Sequence, residues 1–471
     1  MILPRATCAL AALLAAVGFA ATPRPDVVLI VTDDQGRDSL GCYGNPVIKT
    51  PHLDRLAADA TRFEFAFASA SSCSPNRSVL LTGRHHFANG QFGLAGKPHN
   101  FSSYADEQSL PAMLRAAGYR TARVGKYHVA PESVFPFETV VPGDANNPVA
   151  MAENSRALIA DTDPRPFFLY FCTTAPHVGG GRAEELPFKP DRFYNKADGY
   201  PGTPRVTYRP EDVIVPPYLP DIPETRAELA QYYEAVSRAD AGVGRLVEIL
   251  KAAGRYENTL LLFLSDNGHS LPMAKATLYD AGIHLPFIVR APGQRTRGVV
   301  SRAMVGFTDV TPTILDFAGV APAPVNLHGR SFRATIEQAD AVGWDEVFSG
   351  HTFHLPTWYF PSRAVRERRF KLIRNFAHPL ENPAARTYHP TWQAAIARGL
   401  ATYGQRPLAA CLRQPEFELY DVQADPGEVR NLAAQPEHQR ELVRLKEKLA
   451  AFQKRTGDLW GTIGQAPAAG P

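Results

Sequence analysis

An α/β fold is predicted for this chain of 471 residues. A large mixed sheet should be flanked by helices on both faces, with a smaller α+β unit at the C-terminus. Three observations lead there. Short apolar runs recur and end in polar residues, helical segments separate them, and the texture changes after "GVAPAPVNLHGRSF" (319–332). Setting aside a predicted leader of 21 residues leaves about 450, more than one core usually holds. Two units are therefore expected, 22–345 and 346–471.

The elements follow in order. Met1 to Arg5 is short and carries one positive charge, and 6–21, "ATCALAALLAAVGFAA", is uncharged. That pattern is a cleaved secretory signal at 1–21, too short for a comfortable membrane span. No later segment is apolar enough to cross a bilayer. The expected location is exported: periplasmic or secreted in a bacterium, lysosomal in a eukaryote. "DVVLIVTDD" (26–34) is a buried strand ending in carboxylates. "SLPAMLRAAGY" is helical, and "RTARVGKYHV" passes into a second strand. "RPFFLYFCTTAPH" is a third strand. Thr225 to Gly254 is the clearest helix: Thr225 and Glu228 fit a capping box, and Leu229, Tyr232, Val236, Val243, Leu246 and Leu250 share one side. "NTLLLFLSDNG" (258–268) is a fourth strand. The Pro-rich stretch 187–220 reads as a surface excursion. "SRAVRERRFKLIRNF" and "EFELYDVQADPGEVRNLA" look like strands and turns of the second unit, closed by a helix at 436–454.

Composition excludes some classes. A formal charge of +3 is too small to argue for nucleic acid. Of five cysteines, Cys8 lies in the leader, so Cys42, Cys73, Cys172 and Cys411 do not make a disulfide scaffold. Cys172, within "FFLYFC", reads as a reduced core thiol, and Cys42 could pair with Cys411. N-x-S/T sequons occur at Asn100 and Asn76, and glycosylation is not expected at the second.

Polar residues gather where strands end, which is where open α/β sheets bind ligands. Asp33 and Asp34 end one strand, Lys126 and His128 another, and His177 a third. Asp266 and Asn267 end a fourth, with Lys275 nine residues after Asp266. Three carboxylates and an amide oxygen suit Ca²⁺ or Mg²⁺, and no Cys/His cluster argues for zinc. Singly, each has a bland alternative: "DDQG" as an Asx turn, "DNG" as a hairpin turn, a histidine after proline as a loop residue.

One stretch changes that balance. "SSCSPNRSVLLTG" (71–83) carries C-x-P-x-R-x-x-x-x-T-G and resembles the signature of the sulfatase family. The paired aspartates, "GKYH", "APH", "SDNG" and the lysine before "TLYDAGIHLP" follow in the family's order, and the resemblance runs from Asp26 to about Leu432. It implies an alkaline-phosphatase-like fold and hydrolysis of sulfate. It implies that Cys73 is oxidised to formylglycine by a maturation enzyme, a partner during export. The hydrated aldehyde would attack sulfur, and its second hydroxyl would expel sulfate by elimination. By the same resemblance, Asp33, Asp34, Asp266, Asn267 and residue 73 hold one cation, expected to be Ca²⁺. Arg77 and Lys126 orient the diol, Lys275 binds sulfate oxygens, His128 assists elimination, and His177 is the general acid. His269 has either a leaving-group or a supporting role.

"NGQFGL", "GKYHVAPESVFPF" and "FPSRAVRERRFKLIRNF" closely resemble the heparan N-sulfatase branch of that family. This implies a sulfated saccharide substrate: N-sulfated glucosamine at the non-reducing end of a glycosaminoglycan. Three positions depart. Asn76 stands where the signature has Ser or Ala, Ala175 where the branch has aspartate, and Leu355 where it has glutamate. The last two changes remove carboxylates from an expected sugar-facing rim, which keeps a carbohydrate O-sulfatase open. A phosphonate or phosphate monoester hydrolase would use much of the same constellation. The run Arg363, Arg366, Arg368, Arg369, Lys371 and Arg374 reads as a solvated strand face or a polyanion contact.

Overall fold

The computed structural model describes residues 24–179, 186, 191–321, 326–385 and 389–461. The predicted signal, 1–21, lies outside them, as does part of the 187–220 excursion. Among the described residues no helix is long and apolar enough to cross a membrane.

Among the described residues nine strands form the large sheet: β1 (Asp26–Thr32), β2 (Thr61–Phe67), β3 (Arg120–Gly125), β4 (Thr139–Val141), β5 (Phe167–Cys172), β6 (Thr259–Ser265), β7 (His284–Leu285), β8 (Phe287–Arg290) and β9 (Val299–Gly306). Their order is β4-β3-β5-β1-β6-β8-β2-β7, with β9 beside β2. The five from β4 to β6 run parallel, while β8 is antiparallel to β6 and to β2. The sheet is therefore mixed. Alternation shows that both faces are covered. Val27, Leu29, Val31, Phe168, Tyr170, Leu260 and Leu262 enter one apolar cluster. Val28, Ile30, Phe167, Leu169, Phe171, Leu261 and Phe263 enter a second, with Val243 and Leu246 of the long helix. Successive side chains point to opposite faces, so a strand apolar throughout needs a partner layer on each side.

That helix runs Pro223–Ala252, with Ile222 at its N-cap. The capping box expected at Thr225 and Glu228 does not form. Proline at the first position starts the helix two residues earlier, which places both residues inside it. Thr225 shares a hydrogen bond with Thr391, and Glu228 accepts from the Thr391 amide and pairs with Arg192 at 3.0 Å.

A second, antiparallel sheet contains β10 (Glu346–Phe353), β11 (Tyr359–Glu367) and β12 (Phe370–Asn375). After a short ribbon, β13 (Thr402–Tyr403) with β14 (Arg406–Pro407), it is completed by β15 (Phe417–Asp421). Helix Gln439–Thr456 packs Leu445, Leu449 and Phe452 against it. β10 also joins the large unit. The Gly350 amide donates to the Ser69 carbonyl, and Ser349 to that of Ala68, just before the Cys73 segment.

Both readings of the basic run are corrected for Arg363, Arg366 and Lys371, whereas Arg369 is exposed and Arg368 and Arg374 are partly so. Arg363 is fully buried and pairs with buried Asp458. Arg366 and Lys371 are buried on Asp280, and Lys371 also reaches Glu428. These cations tie elements together, because a charge removed from water needs a partner. The suggested Cys42–Cys411 disulfide is also corrected: all four described cysteines are free. Cys42 lies in a turn whose backbone is held by Asp54, and Cys411 is buried in the short helix Leu408–Leu412.

Candidate active site

The carboxyl ends of four neighbouring strands, β3, β5, β1 and β6, meet at one edge of the large sheet. Gly125 ends β3 at φ 80°, and a Cβ there would lie 2.1 Å from the Cys172 carbonyl oxygen. Only glycine allows that approach, and the Lys126 amide then donates to the same oxygen at 2.8 Å. Beyond β1, Asp34 turns at φ 64°, in the left-handed region sparsely used outside glycine. Its amide donates to Asp266 Oδ1 at 3.1 Å, which locks the ends of β1 and β6 together.

Cys73 opens helix Cys73–Thr82 and is 1% exposed. Its Sγ lies 3.9 Å from Asp34 Oδ1. One turn on, the fully buried Arg77 donates from Nε to Asp266 Oδ2 at 2.8 Å and from Nη1 to the Lys126 carbonyl at 3.2 Å. Lys126 pairs with Asp33, and Lys275 Nζ sits 2.6 Å from Asp34 Oδ1. His177 Nε2 is 3.7 Å from Asp34 Oδ2. Asn76 bonds the Asp266 carbonyl and accepts from the Ala70 amide at 3.2 Å. It is buried, so its sequon offers no glycan site, whereas Asn100 is exposed.

The electrostatics are strong. Burial pushes the Asp33 carboxyl up, but Lys126, His177, Arg77 and Lys275 together hold it well below the usual range. Burial and Asp33 push Asp266 up to about 7 against Arg77. Burial drives His177 down to about 4 despite Asp33 and Asp34. Burial, then Lys126 and Arg77, pushes His128 well below its ordinary value. The Cys73 thiol is pushed well up by burial, with Lys126 and Lys275 opposing. An unmodified thiol here stays protonated and is a poor nucleophile.

Ligand atoms of Asp33, Asp34, Cys73 and His177 lie within 4.8 Å of one another. Three oxygens beside them, Asp33 Oδ1, Asp34 Oδ2 and Asn267 Oδ1, are buried with no hydrogen-bond partner. Buried polar atoms are normally satisfied, and an all-oxygen set of this kind fits a hard divalent cation. Three carboxylates face three basic side chains, Arg77, Lys126 and Lys275. A cation among the orphan oxygens would leave the site net positive, as an anionic ester requires. Asp266 contributes less directly, since its oxygens already accept from Asp34 N–H and Arg77.

A cavity of about 280 Å³ opens over the cluster, lined by Asp34, His177, Lys275, His354, Leu355 and Trp358 among others. Leu355 is on the wall, as the sequence suggested. Ala175 is not: it is 1% exposed, and its carbonyl accepts from Thr173 Oγ1 and the Asp33 amide. His269 is buried against Tyr232, ring centroids 4.0 Å apart, and is not among the lining residues. Reading the sequence missed His354 and Trp358, which sit on the β10–β11 connection without a motif of their own. A larger cavity, about 490 Å³, lies between the two sheets beside His85, His328 and Trp344 and contains none of the strand-end residues.

Comparison with known proteins adds the family. The family model described as Sulfatase matches residues 25–320, and one described as N-sulphoglucosamine sulphohydrolase, C-terminal, matches 270–382. The chain is 36% identical over 474 residues to the N-sulphoglucosamine sulphohydrolase of Homo sapiens, covering 95% of this chain and 94% of that protein. It is 28% identical to an ulvan-active sulfatase of Formosa agariphila, covering 93% and 82%. Among solved structures, one in complex with its substrate D-glucosamine-2-N,6-O-disulfate superposes with TM-score 0.67 at 20% identity, covering 93% of this chain and 99% of that one. The phosphonate monoester hydrolase of Agrobacterium radiobacter superposes at 0.64 and 19%, covering 92% and 96%. These two likenesses bear on the fold alone. From the family model and the human relative together, the chain belongs to the sulfatase family.

Proposed function

We propose that this sulfatase removes sulfate from N-sulfated glucosamine at the non-reducing end of a glycosaminoglycan. The observation that carries the chemistry is the cluster of buried Asp33, Asp34 and Cys73 with half-buried His177 under one cavity, flanked by three basic side chains. The 36% identity to the human relative supports the substrate class.

Asp33, Asp34, Asp266 and Asn267 would hold a divalent cation, Ca²⁺ by its preference for oxygen donors. That cation supplies Lewis-acid charge, and formylglycine at residue 73, as its hydrate, supplies the attacking hydroxyl. Arg77, rigid on Asp266, and Lys126, on Asp33, orient residue 73. Lys275, at the cavity floor, binds sulfate oxygens. His177, half-buried at the cavity, would give its proton to the leaving nitrogen or oxygen, the negative charge of a bound sulfate favouring the imidazolium that burial alone disfavours, while His128 takes a proton from residue 73 as sulfate departs. Fixed cations placed where charge develops need no reorganisation during the reaction. The same reading assigns export by a signal at 1–21, an encounter with a formylglycine-generating enzyme, and a catalytic unit 22–345 carrying a C-terminal unit 346–471.

A second reading, a carbohydrate O-sulfatase, draws on Leu355. This cavity wall is apolar where the N-sulfatase branch has a carboxylate that could hold a protonating amine. Sulfate release from glucosamine N-sulfate and from 6-O-sulfated N-acetylglucosamine, each as a non-reducing end, separates the two. N-desulfation is expected to be faster, and clear preference for the 6-O-sulfate overturns it. Aryl sulfate and aryl phosphate rates side by side test the phosphohydrolase alternative.

A further inference from the structure

Ser72 precedes the helix that carries Cys73. Serine is among the best N-cap residues, yet this one makes no side-chain cap bond. Its hydroxyl turns instead to His354, with Oγ 2.8 Å from Nδ1. His354 lines the cavity with Lys275 and His177, and its ring packs on Trp358 with centroids 5.2 Å apart. The Trp358 amide closes the turn on the Leu355 carbonyl at 2.9 Å, which fixes the backbone that carries that ring.

The direction of the Ser72–His354 bond follows from satisfaction. Ser72 is 1% exposed, so its hydroxyl proton needs an acceptor, while an unused hydroxyl lone pair costs little. Ser72 therefore donates to Nδ1. Burial, with Lys275 and the neighbouring histidines, keeps the imidazole well below its ordinary value, hence neutral. The proton is then on Nε2, which has no hydrogen-bond partner among the described residues. A fixed N–H donor is left at the cavity wall, beside the lysine that faces sulfate.

The geometry points to His354 as a specificity-determining residue, whose Nε2–H donates to a ring hydroxyl oxygen of the sugar next to the sulfated position. Ser72 sets the tautomer and Trp358 holds the ring. A donor there accepts a hydroxyl and rejects a protonated amine, so the sugar is read by an oxygen outside the bond that breaks. This rests on the sulfatase reading above and adds the means by which the substrate is aligned.

The test uses two probes on the mature full-length protein: glucosamine N-sulfate, and 4-methylumbelliferyl sulfate, which has no sugar. His354→Phe keeps a flat ring and removes the donor. Its kcat/KM for the sugar should fall at least about tenfold further than for the aryl sulfate. His354→Gln, which restores an N–H donor, should recover part of the sugar-specific loss. Equal losses on both probes, or no recovery with glutamine while both variants melt like the parent, overturn the assignment, because His354 would then act only by supporting Ser72. Parent protein that cleaves the aryl sulfate and not the sugar overturns the proposed substrate instead.

Discussion

Asp458→Ala should destabilise this protein far more than a surface substitution does. Asp458 Oδ2 accepts from Arg363 Nε at 2.7 Å and Oδ1 from Nη2 at 2.9 Å, with both side chains wholly buried. The carboxylate also accepts from Gln453 Nε2 at 3.0 Å and the Trp460 amide at 3.2 Å. Removing one partner of a buried pair costs about 3–5 kcal/mol, because the other charge is left without compensation. Arg363 would keep the His351 and Ser362 carbonyls and the Phe87 ring, 4.4 Å away, so the lower end applies. At an m-value of about 3 kcal/mol/M, that loss moves the urea midpoint by about 1 M. Tryptophan fluorescence reports it directly, since Trp460 lies beside the pair. Arg363→Met with Asp458→Leu should recover most of the loss, because well-packed apolar groups often replace a buried pair without penalty. A single variant within about 1 kcal/mol of the parent, a surface-like effect, would refute the buried-charge argument.

Four further outcomes are expected. Mass spectrometry of the active protein's Cys73 peptide should show conversion to formylglycine, and Cys73→Ala should abolish turnover with the far-UV spectrum unchanged. Exhaustive chelation should remove activity and calcium restore it, with elemental analysis giving one ion per chain; full activity without metal contradicts the ligand set. His177→Ala should slow a substrate with a poor leaving group about 10²–10⁴-fold, and one with a nitrophenol leaving group much less. Stability should fall with pH below neutrality. Burial depresses His351 from 6.5 to about 3, so the unfolded chain takes up a proton that the native fold refuses. This term is absent above pH 6.5, grows as pH falls, and reaches about 2 kcal/mol at pH 5. His351→Gln should flatten the urea-midpoint profile between pH 7 and 5 by about 0.7 M at the same m-value.

Much of this architecture is legible in the sequence because backbone rules and local chemistry coincide there. β1 and β5 are apolar without a break, which only a sheet covered on both faces can use, and their ends announce the cluster at Asp33, Asp34 and His177. The Cys73 motif is contiguous, so its spacing survives in one dimension. What is hidden depends on pairing across distance. Arg363 and Lys371 look like surface charge until Asp458 and Asp280 arrive beside them. Thr225 and Glu228 mimic a cap, but Pro223 starts the helix earlier, and Thr391 meets both residues from far along the chain. Leu355 could be read from a pattern departure, whereas His354 and Trp358 could not, since their value lies in facing Ser72 and each other. Ala175 illustrates the reverse error: next to a site residue in sequence, it is turned into the protein by its own carbonyl contacts.

The burial of Cys73 sets a clock on the chain. In the finished fold its sulfur lies under a wall that includes His354 and Leu355, contributed nearly three hundred positions later, and β10 clamps the backbone just ahead of it at Ser69. A chain emerging from its N-terminus presents the motif long before those pieces exist. On the proposed oxidation of this cysteine, the enzyme responsible would have to reach it in that interval, and closure of the second sheet would end the opportunity. A variant that folds its C-terminal unit too early or too tightly would accumulate as a well-formed, fully stable protein carrying an inert thiol.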